Sequence, residues 1–296
     1  MIWYLHRDCR TLLLKNLYTR VFSLTLLLVN LLLLPTNQSL AAKTLVLSIH
    51  PYQSATKLLQ AYTPLVEYLG SELGVTVQIQ IDPDYAMHVQ RIGKNEVDLA
   101  YMGPASYVEL VDKYGKKPII ARQYINGIPT FQGKFITRKD SAIHSIADLN
   151  GKRFAFGDKG STMSHLVPQY MLIEANVQLK TAKFLGSHDN VALGVLTGDY
   201  DAGAVKEAIF YKYAARGLKA IATTPALSEH LFVARSNMDK TLYRKLCKAF
   251  YILKDKPNGK SIMNSIKSGL TEFGSATDHD YDNLRKILDV LKRHDQ

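Results

Sequence analysis

The stretch Gly74-Val-Thr-Val-Gln-Ile-Gln-Ile81 sets the fold class. Val75, Val77, Ile79 and Ile81 alternate with Thr76, Gln78 and Gln80, the period of two of a strand with one buried face, and Gly74 stops the element before it. That element is a helix, because across residues 54–73 Leu58, Tyr62, Leu65, Val66, Leu69 and Leu73 recur at helical spacing. Residues 44–49 form a short apolar run of strand type, 85–93 read as a short helix and 97–102 as a further strand. The order β, α, β, α, β implies an α/β fold with mostly parallel sheets and right-handed crossovers. In such sheets ligands sit beyond the carboxyl ends of the strands, and Tyr101, Gly103, Pro104, Ala105 and Ser106 lie at one such end.

The pattern repeats in the second half. Strands are expected at 153–156, 182–185 and 201–205, and helices at 167–175, 191–196 and 206–215. Extended segments at 131–138 and 220–224 flank this unit, so the chain crosses out to a second lobe and returns. From Met238 onward the chain reads as mostly helical, with Leu242, Leu246, Phe250 and Leu253, then Tyr281, Leu284, Leu288 and Leu291, at helical spacing. These helices are expected to pack back on the first lobe.

Residues 1–41 read as a cleaved secretory signal. Arg7, Arg10, Lys15 and Arg20 form a basic region, residues 21–34 are an apolar run interrupted by Ser23, Thr25 and Asn30, and Ser39-Leu-Ala41 is a small-x-small cleavage pattern. The run is shorter than the ~18 to 20 residues of a spanning helix, so a secreted mature protein that begins near Ala42, free of the membrane, is expected. The formal charge of +11 loses four basic residues and one acidic residue with that segment, leaving +8. The remaining Lys and Arg are dispersed, which favours attraction of small anions and gives no nucleic-acid arm. Of the two cysteines only Cys247 lies beyond the signal, so no intramolecular disulfide is expected.

Phe154-Ala-Phe-Gly-Asp-Lys-Gly-Ser-Thr-Met-Ser-His-Leu-Val-Pro168 carries the strongest chemical signal. A buried strand runs through Gly157 and Gly160 into Ser161 and Thr162 at a helix start, where hydroxyls and unpaired amides can hold an anion. An ordinary capped helix gives the same pattern, since Ser and Thr are preferred caps with or without a ligand. Read alone, His165 and His230 are structural or solvent-facing, and His188 is a surface histidine at the start of a helix. A nucleophilic hydrolase would draw on Ser161 or Ser164, His165 or His188, and Asp189 or Asp158, but the nucleophile-elbow motif Gly-x-Ser-x-Gly is absent. The histidines beyond the signal are scattered, so no metal or other cofactor is expected.

Five segments together resemble the periplasmic substrate-binding proteins of phosphonate, phosphite and phosphate ABC transporters, the PhnD-like group. They are Asp98-Leu-Ala-Tyr-Met-Gly-Pro-Ala-Ser-Tyr107, Ile146-Ala-Asp-Leu-Asn-Gly-Lys-Arg-Phe-Ala-Phe-Gly157, the Ser161-Thr162 turn through Pro168, Gly186-Ser-His-Asp189, and Val195-Leu-Thr-Gly-Asp-Tyr-Asp-Ala-Gly203. The resemblance implies a type II periplasmic-binding-protein fold: two α/β lobes joined by two crossing strands and closing on one small ligand. Lobe I would comprise 42–125 and 227–296, and lobe II 126–226, with hinges near 124–130 and 223–228. It implies no catalysis, a monomer, a phosphorus oxyanion as ligand and a membrane ABC permease as partner; a ligand-sensing subunit for a membrane receptor kinase would share the fold. Carried over by motif, the ligand contacts become Tyr52, Tyr101, Ser161, Thr162 and His188. Where the family commonly has Ser-Thr-Ser-Gly this chain reads Ser161-Thr162-Met163-Ser164, which adds Ser164 as a candidate. Family members that take aminoalkyl phosphonates place a carboxylate after the Asp-Ala segment, and here Glu207 is one position out of step.

Overall fold

The computed structural model of the protein describes residues 44–294, and the segment read as a signal, residues 1–41, lies outside them. The chain enters through β1 (Thr44–Ile49), α1 (Ala55–Leu73), β2 (Thr76–Ile81), α2 (Tyr85–Gly93) and β3 (Leu99–Met102), in the order that the apolar spacing implies. Gly74 ends α1 at φ 66°, its N–H returning to the Gly70 carbonyl, a left-handed cap that glycine adopts without steric cost. After α3 (Pro104–Tyr114) and β4 (Ile119–Ile125) the chain crosses through β5 (Thr130–Phe131) into β6 (Gly133–Arg138). There it builds β7 (Arg153–Phe156), α4 (Val167–Glu174), β8 (Thr181–Phe184), α5 (His188–Leu196), β9 (Ala202–Lys206), α6 (Glu207–Ala214) and β10 (Leu218–Thr223). It returns through β11 (Leu227–Ser228) to β12 (Leu231–Ala234), α7 (Lys240–Ile252), α8 (Gly259–Ile266), β13 (Leu270–Gly274) and α9 (Asp282–His294).

The first sheet has the order β13-β4-β12-β3-β1-β2 and the second β10-β6-β9-β7-β8. Both are mixed, where alternation of strands and helices suggested mostly parallel sheets. β1 pairs in parallel with β2 and β3, and β7 with β8 and β9, but β12 and β6 are antiparallel to both of their neighbours. The cause is the direction of entry. β6 and β12 come in from the crossing, so they run against strands whose carboxyl ends face it. The carboxyl ends of both sheets therefore meet at the crossing, together with the starts of β6 and β12. β13 departs from the expected helical tail; a register shift between Leu270 and Glu272 breaks its alternation, which removes the period-two signal.

Apolar residues of α1, α7 and α8 cover one face of the first sheet around Leu47, Leu65, Phe232 and Phe250. Those of α2, α3 and α9 cover the other, and this second cluster continues through Phe131 and Leu227 of the crossings to Met163 and Val167 beside the second sheet. The core is thus continuous across the crossing, with Phe131, Leu227, Met163 and Val167 joining the two sheets.

The crossings are tied at several points. Asn126 (φ 50°) and Gly127 (φ 76°) form a two-residue turn of the Asn-Gly hairpin kind, with Ile125 and Ile128 exchanging two hydrogen bonds of 2.9 Å. Asn126 N–H donates to the Gly269 carbonyl at 2.7 Å and Gly127 N–H to Thr271 Oγ1 at 3.0 Å, so this turn is clamped to β13. β5 and β11 pair antiparallel, Phe131 opposite Leu227 and Thr130 opposite Ser228. The next residue, Glu229, donates its N–H to Pro129 and accepts on its own carbonyl from the Tyr281 hydroxyl. Its carboxylate, with no solvent exposure, accepts from Lys267 Nζ on one oxygen at 2.5 Å and from His230 N–H and Nδ1–H on the other, at 2.9 and 2.8 Å. Burial alone would raise this carboxyl, but the Lys267 ammonium and His230 outweigh it and hold it far below the usual carboxylate range.

Candidate functional site

Where the carboxyl ends of the two sheets meet there is a cavity of about 30 Å³, lined by His50, Tyr52, Tyr85, Gly103, Phe131, Gly160, Ser161, Thr162, Met163, His188, Lys206 and His230. That is room for two or three water-sized groups, the scale of an oxyanion head. His50 follows β1, Gly103 follows β3 and Lys206 ends β9, as the strand-end rule requires.

The turn expected to hold an anion is one wall. After β7 the backbone turns at Gly157, where a Cβ would stand 2.6 Å from Ser164 Oγ, so only glycine fits. A single π-helical turn, Thr162–Leu166, precedes α4, and it places Pro168 in the first turn of that helix, where a missing N–H costs nothing. The amides of Thr162 and Met163 stand at the leading edge of this turn, where a helix supplies no acceptor of its own. Ser161 caps the turn, its Oγ accepting the Ser164 N–H at 3.2 Å.

His188, the first residue of α5, decides what Ser161 can do. Its Nδ1 lies 3.1 Å from the Lys206 backbone N–H, which can only donate, so Nδ1 accepts and the ring proton sits on Nε2. Nε2 is 3.4 Å from Ser161 Oγ. With two N–H groups aimed at its oxygen, Ser161 has its own hydroxyl proton left for the cavity. Thr162 Oγ1 accepts one N–H, that of Ala105 at the start of α3, at 3.2 Å, and likewise keeps its hydroxyl proton. Two hydroxyls are thereby set as donors. The same tautomer excludes His188 as a base for Ser161, because a His188 that carries its proton on Nε2 cannot take one from that hydroxyl. Asp189 is meanwhile held by Lys212 and Tyr213.

The remaining polar groups are histidines and one lysine. His50 is 1% exposed and among the described residues both of its ring nitrogens lack hydrogen-bond partners, a costly state for a buried imidazole unless a ligand completes it. Its ring lies 5.0 Å from those of Tyr52 and Tyr85 and 5.6 Å from His230. Burial, then His230 and His88, holds His50 well below the usual imidazole value. Burial and Lys206 bring His188 down to about 3, and burial and Lys267 bring Lys206 down to about 8. Groups that suppress one another's positive charge mark a site whose potential an anion would relieve.

The six residues read from the sequence separate into three sorts. Ser161, Thr162, His188 and Tyr52 line the cavity. Tyr101 lies behind it, its hydroxyl 3.3 Å from Gln123 Oε1 and its ring stacked 5.6 Å from His230, which makes it a wall of the adjoining space. Ser164 is fully buried and spends its hydroxyl on the Ala204 carbonyl, so it shapes the turn from below. His230, read as structural or solvent-facing, lines the cavity instead. Glu229 holds its Nδ1 proton, which leaves Nε2 toward the space beside Gly103. A second Ser-His-Asp grouping, Ser48, His88 and Asp82, is buried beneath α2 and serves to join it to β1 and β2.

A model of the phosphonate ABC-transporter periplasmic substrate-binding protein family matches residues 47–281. The chain belongs to that family. Its similarity to the phosphonates-binding periplasmic protein of Escherichia coli is 27% identity over 284 residues, 91% of this chain and 82% of the other. To the phosphate-import protein PhnD of Mycolicibacterium smegmatis it is 28% over 282 residues, 84% and 86% of the two chains. The fold matches the solved structure of PhnD1 from Prochlorococcus marinus in complex with methylphosphonate, with a TM-score of 0.77, 24% identity, and 84% and 98% of the two chains covered. The two-lobed fold expected from the five segments is that of this phosphonate-binding family.

Four polar lining residues were missed in the sequence: His50, Tyr85, Lys206 and His230. The strand-end rule could have found His50 and Lys206, each at the carboxyl end of a strand. It could not have found His230, which starts an antiparallel strand and enters the site by its amino end.

Proposed function

We propose that this chain captures a small phosphorus oxyanion, phosphate, phosphite or a phosphonate, in the periplasm and presents it as a monomer to a membrane ABC permease, without catalysing a reaction. The observation that supports it most is the pair of hydroxyls, Ser161 and Thr162, whose oxygens already accept protein N–H groups, two at Ser161 and one at Thr162, so that each keeps its proton to donate into a cavity of oxyanion size. Donation from several fixed groups to one charged acceptor is the strong form of hydrogen bonding. The relatives named for phosphonate and phosphate agree with this chemistry. Titration calorimetry with phosphate, phosphite and methylphosphonate, with sulfate as control, tests it: saturable heat with at least one phosphorus oxyanion is expected, and none with any of the three would overturn it.

The same reading makes residues 42–125 with 227–296 one lobe and 126–226 the other, closing when ligand draws donors from both sides. Small-angle scattering should show a smaller radius of gyration with saturating ligand. An unchanged profile in a sample where binding is verified would count against closure.

A further inference from the structure

The oxyanion cavity opens beside a larger chamber of about 450 Å³, with which it shares Tyr52, Lys206 and His230. We propose that this chamber holds a second negatively charged group of the same ligand, so that the preferred cargo is a phosphorus oxyanion carrying a carboxylate or further phosphoryl group on a short tether. This rests on the oxyanion reading above and says what lies at the other end of the molecule.

The charge of the chamber carries the argument. Lys57, Lys206 and Lys267 line it, and among the described residues lining either space there is no Asp or Glu. Glu229, the carboxylate beneath, has no exposure and spends both oxygens on Lys267 and His230. Lys267 is thereby neutralised, but Lys206 is not. Its Nζ stands 5.2 Å over the ring of Tyr52, a cation held against an aromatic face with no carboxylate joined to it among the described residues. Lys57 extends from the first turn of α1, likewise without an ion pair among the described residues. Glu207, the nearest candidate for receiving an amine, begins α6 and is not among the lining residues. An ammonium group in this chamber would meet like charge with no carboxylate among the described lining residues, whereas an anionic group would meet a half-buried ammonium fixed between the two spaces.

The test uses three phosphonates of similar length: propylphosphonate, 2-aminoethylphosphonate and 3-phosphonopropionate. Calorimetry on the mature protein should find 3-phosphonopropionate at least about tenfold tighter than propylphosphonate, the scale of one charge-assisted bond, and 2-aminoethylphosphonate weaker than both. Lys206→Met should bring the ratio of the first two to within about twofold, whatever it does to either affinity alone. Lys57→Met, an exposed position that cannot prevent folding, should lower the same ratio by a smaller factor. Equal affinities for the carboxylate and the propyl compound, a preference for the amine, or a ratio untouched by Lys206→Met would each overturn the proposal. Binding of methylphosphonate with no binding of the three longer compounds would also overturn it, while leaving the oxyanion reading in place. Failure of methylphosphonate, phosphate and phosphite together would instead remove that underlying reading.

Discussion

Replacing Glu229 by alanine should cost about 3 to 5 kcal/mol of folding stability, the range for removing one partner of a buried ion pair. The carboxylate is fully enclosed and three donors converge on it, the Lys267 ammonium and two groups of His230. All three lose their acceptor together. For a chain of this size each kcal/mol moves the thermal midpoint by roughly 2 to 4 °C, so a drop of about 6 to 20 °C is expected in a calorimetric melt. A shift under about 2 °C would show that the pair adds nothing. The effect also has a pH signature. The folded carboxyl lies well below its ordinary value of 4.5, so its stabilisation is complete above that value and is lost as the pH falls through the folded one. The gap between wild type and Glu229→Gln should therefore be constant at neutral pH and narrow below about pH 4.5. The double variant Glu229→Gln with Lys267→Met should be less destabilised than Glu229→Gln alone, because it leaves no unpaired charge.

Removing the two donor hydroxyls should produce the largest loss of binding. Ser161→Ala and Thr162→Val each delete one bond to a charged group, worth ~1.5 to 3 kcal/mol, or about tenfold to a hundredfold in affinity for methylphosphonate or phosphate. Ser161→Ala also frees the N–H groups of Ser164 and His188 that the hydroxyl had been accepting, and Thr162→Val frees that of Ala105. The two sites share one ligand, so the double variant will not follow the sum of the singles. Loss of the Ser161 cap should cost about 1 kcal/mol of stability, which a melt separates from the binding effect. Ser164→Ala is the contrast: its hydroxyl faces the Ala204 carbonyl, so stability should fall and affinity change little. Unchanged affinity in both Ser161→Ala and Thr162→Val would place the oxyanion elsewhere.

The sequence revealed most of the elements, because α1 and β2 each carry a clean period, Gly74 separates them, and β7 is a short apolar run stopped by Gly157. β13 was hidden by its bulge, and mixed pairing was hidden because strand direction depends on which strands enter from the crossing, information that no local pattern holds. The donor turn at Ser161 was legible from glycine and hydroxyl spacing. The roles of its neighbours were not. That Ser164 turns away follows from a carbonyl 40 positions later, and that His230 turns inward follows from a carboxylate next to it that is itself fixed by Lys267. Such assignments belong to the assembled site.

The pairing of β5 with β11 makes the two connections behave as one small plate. A single unpaired strand bends and twists about any axis, so two separate strands would let the sheets rock, twist and slide independently. Strands hydrogen-bonded side by side resist shear within their plane and yield most readily to bending across it. If the lobes close on ligand as proposed, their relative travel would thereby be confined to something near one degree of freedom, as a book opens on its spine. With Glu229 bonded to Pro129 just beyond the pair and the Asn126-Gly127 turn clamped to β13, the axis of such a spine would be set by the protein, whatever ligand arrives.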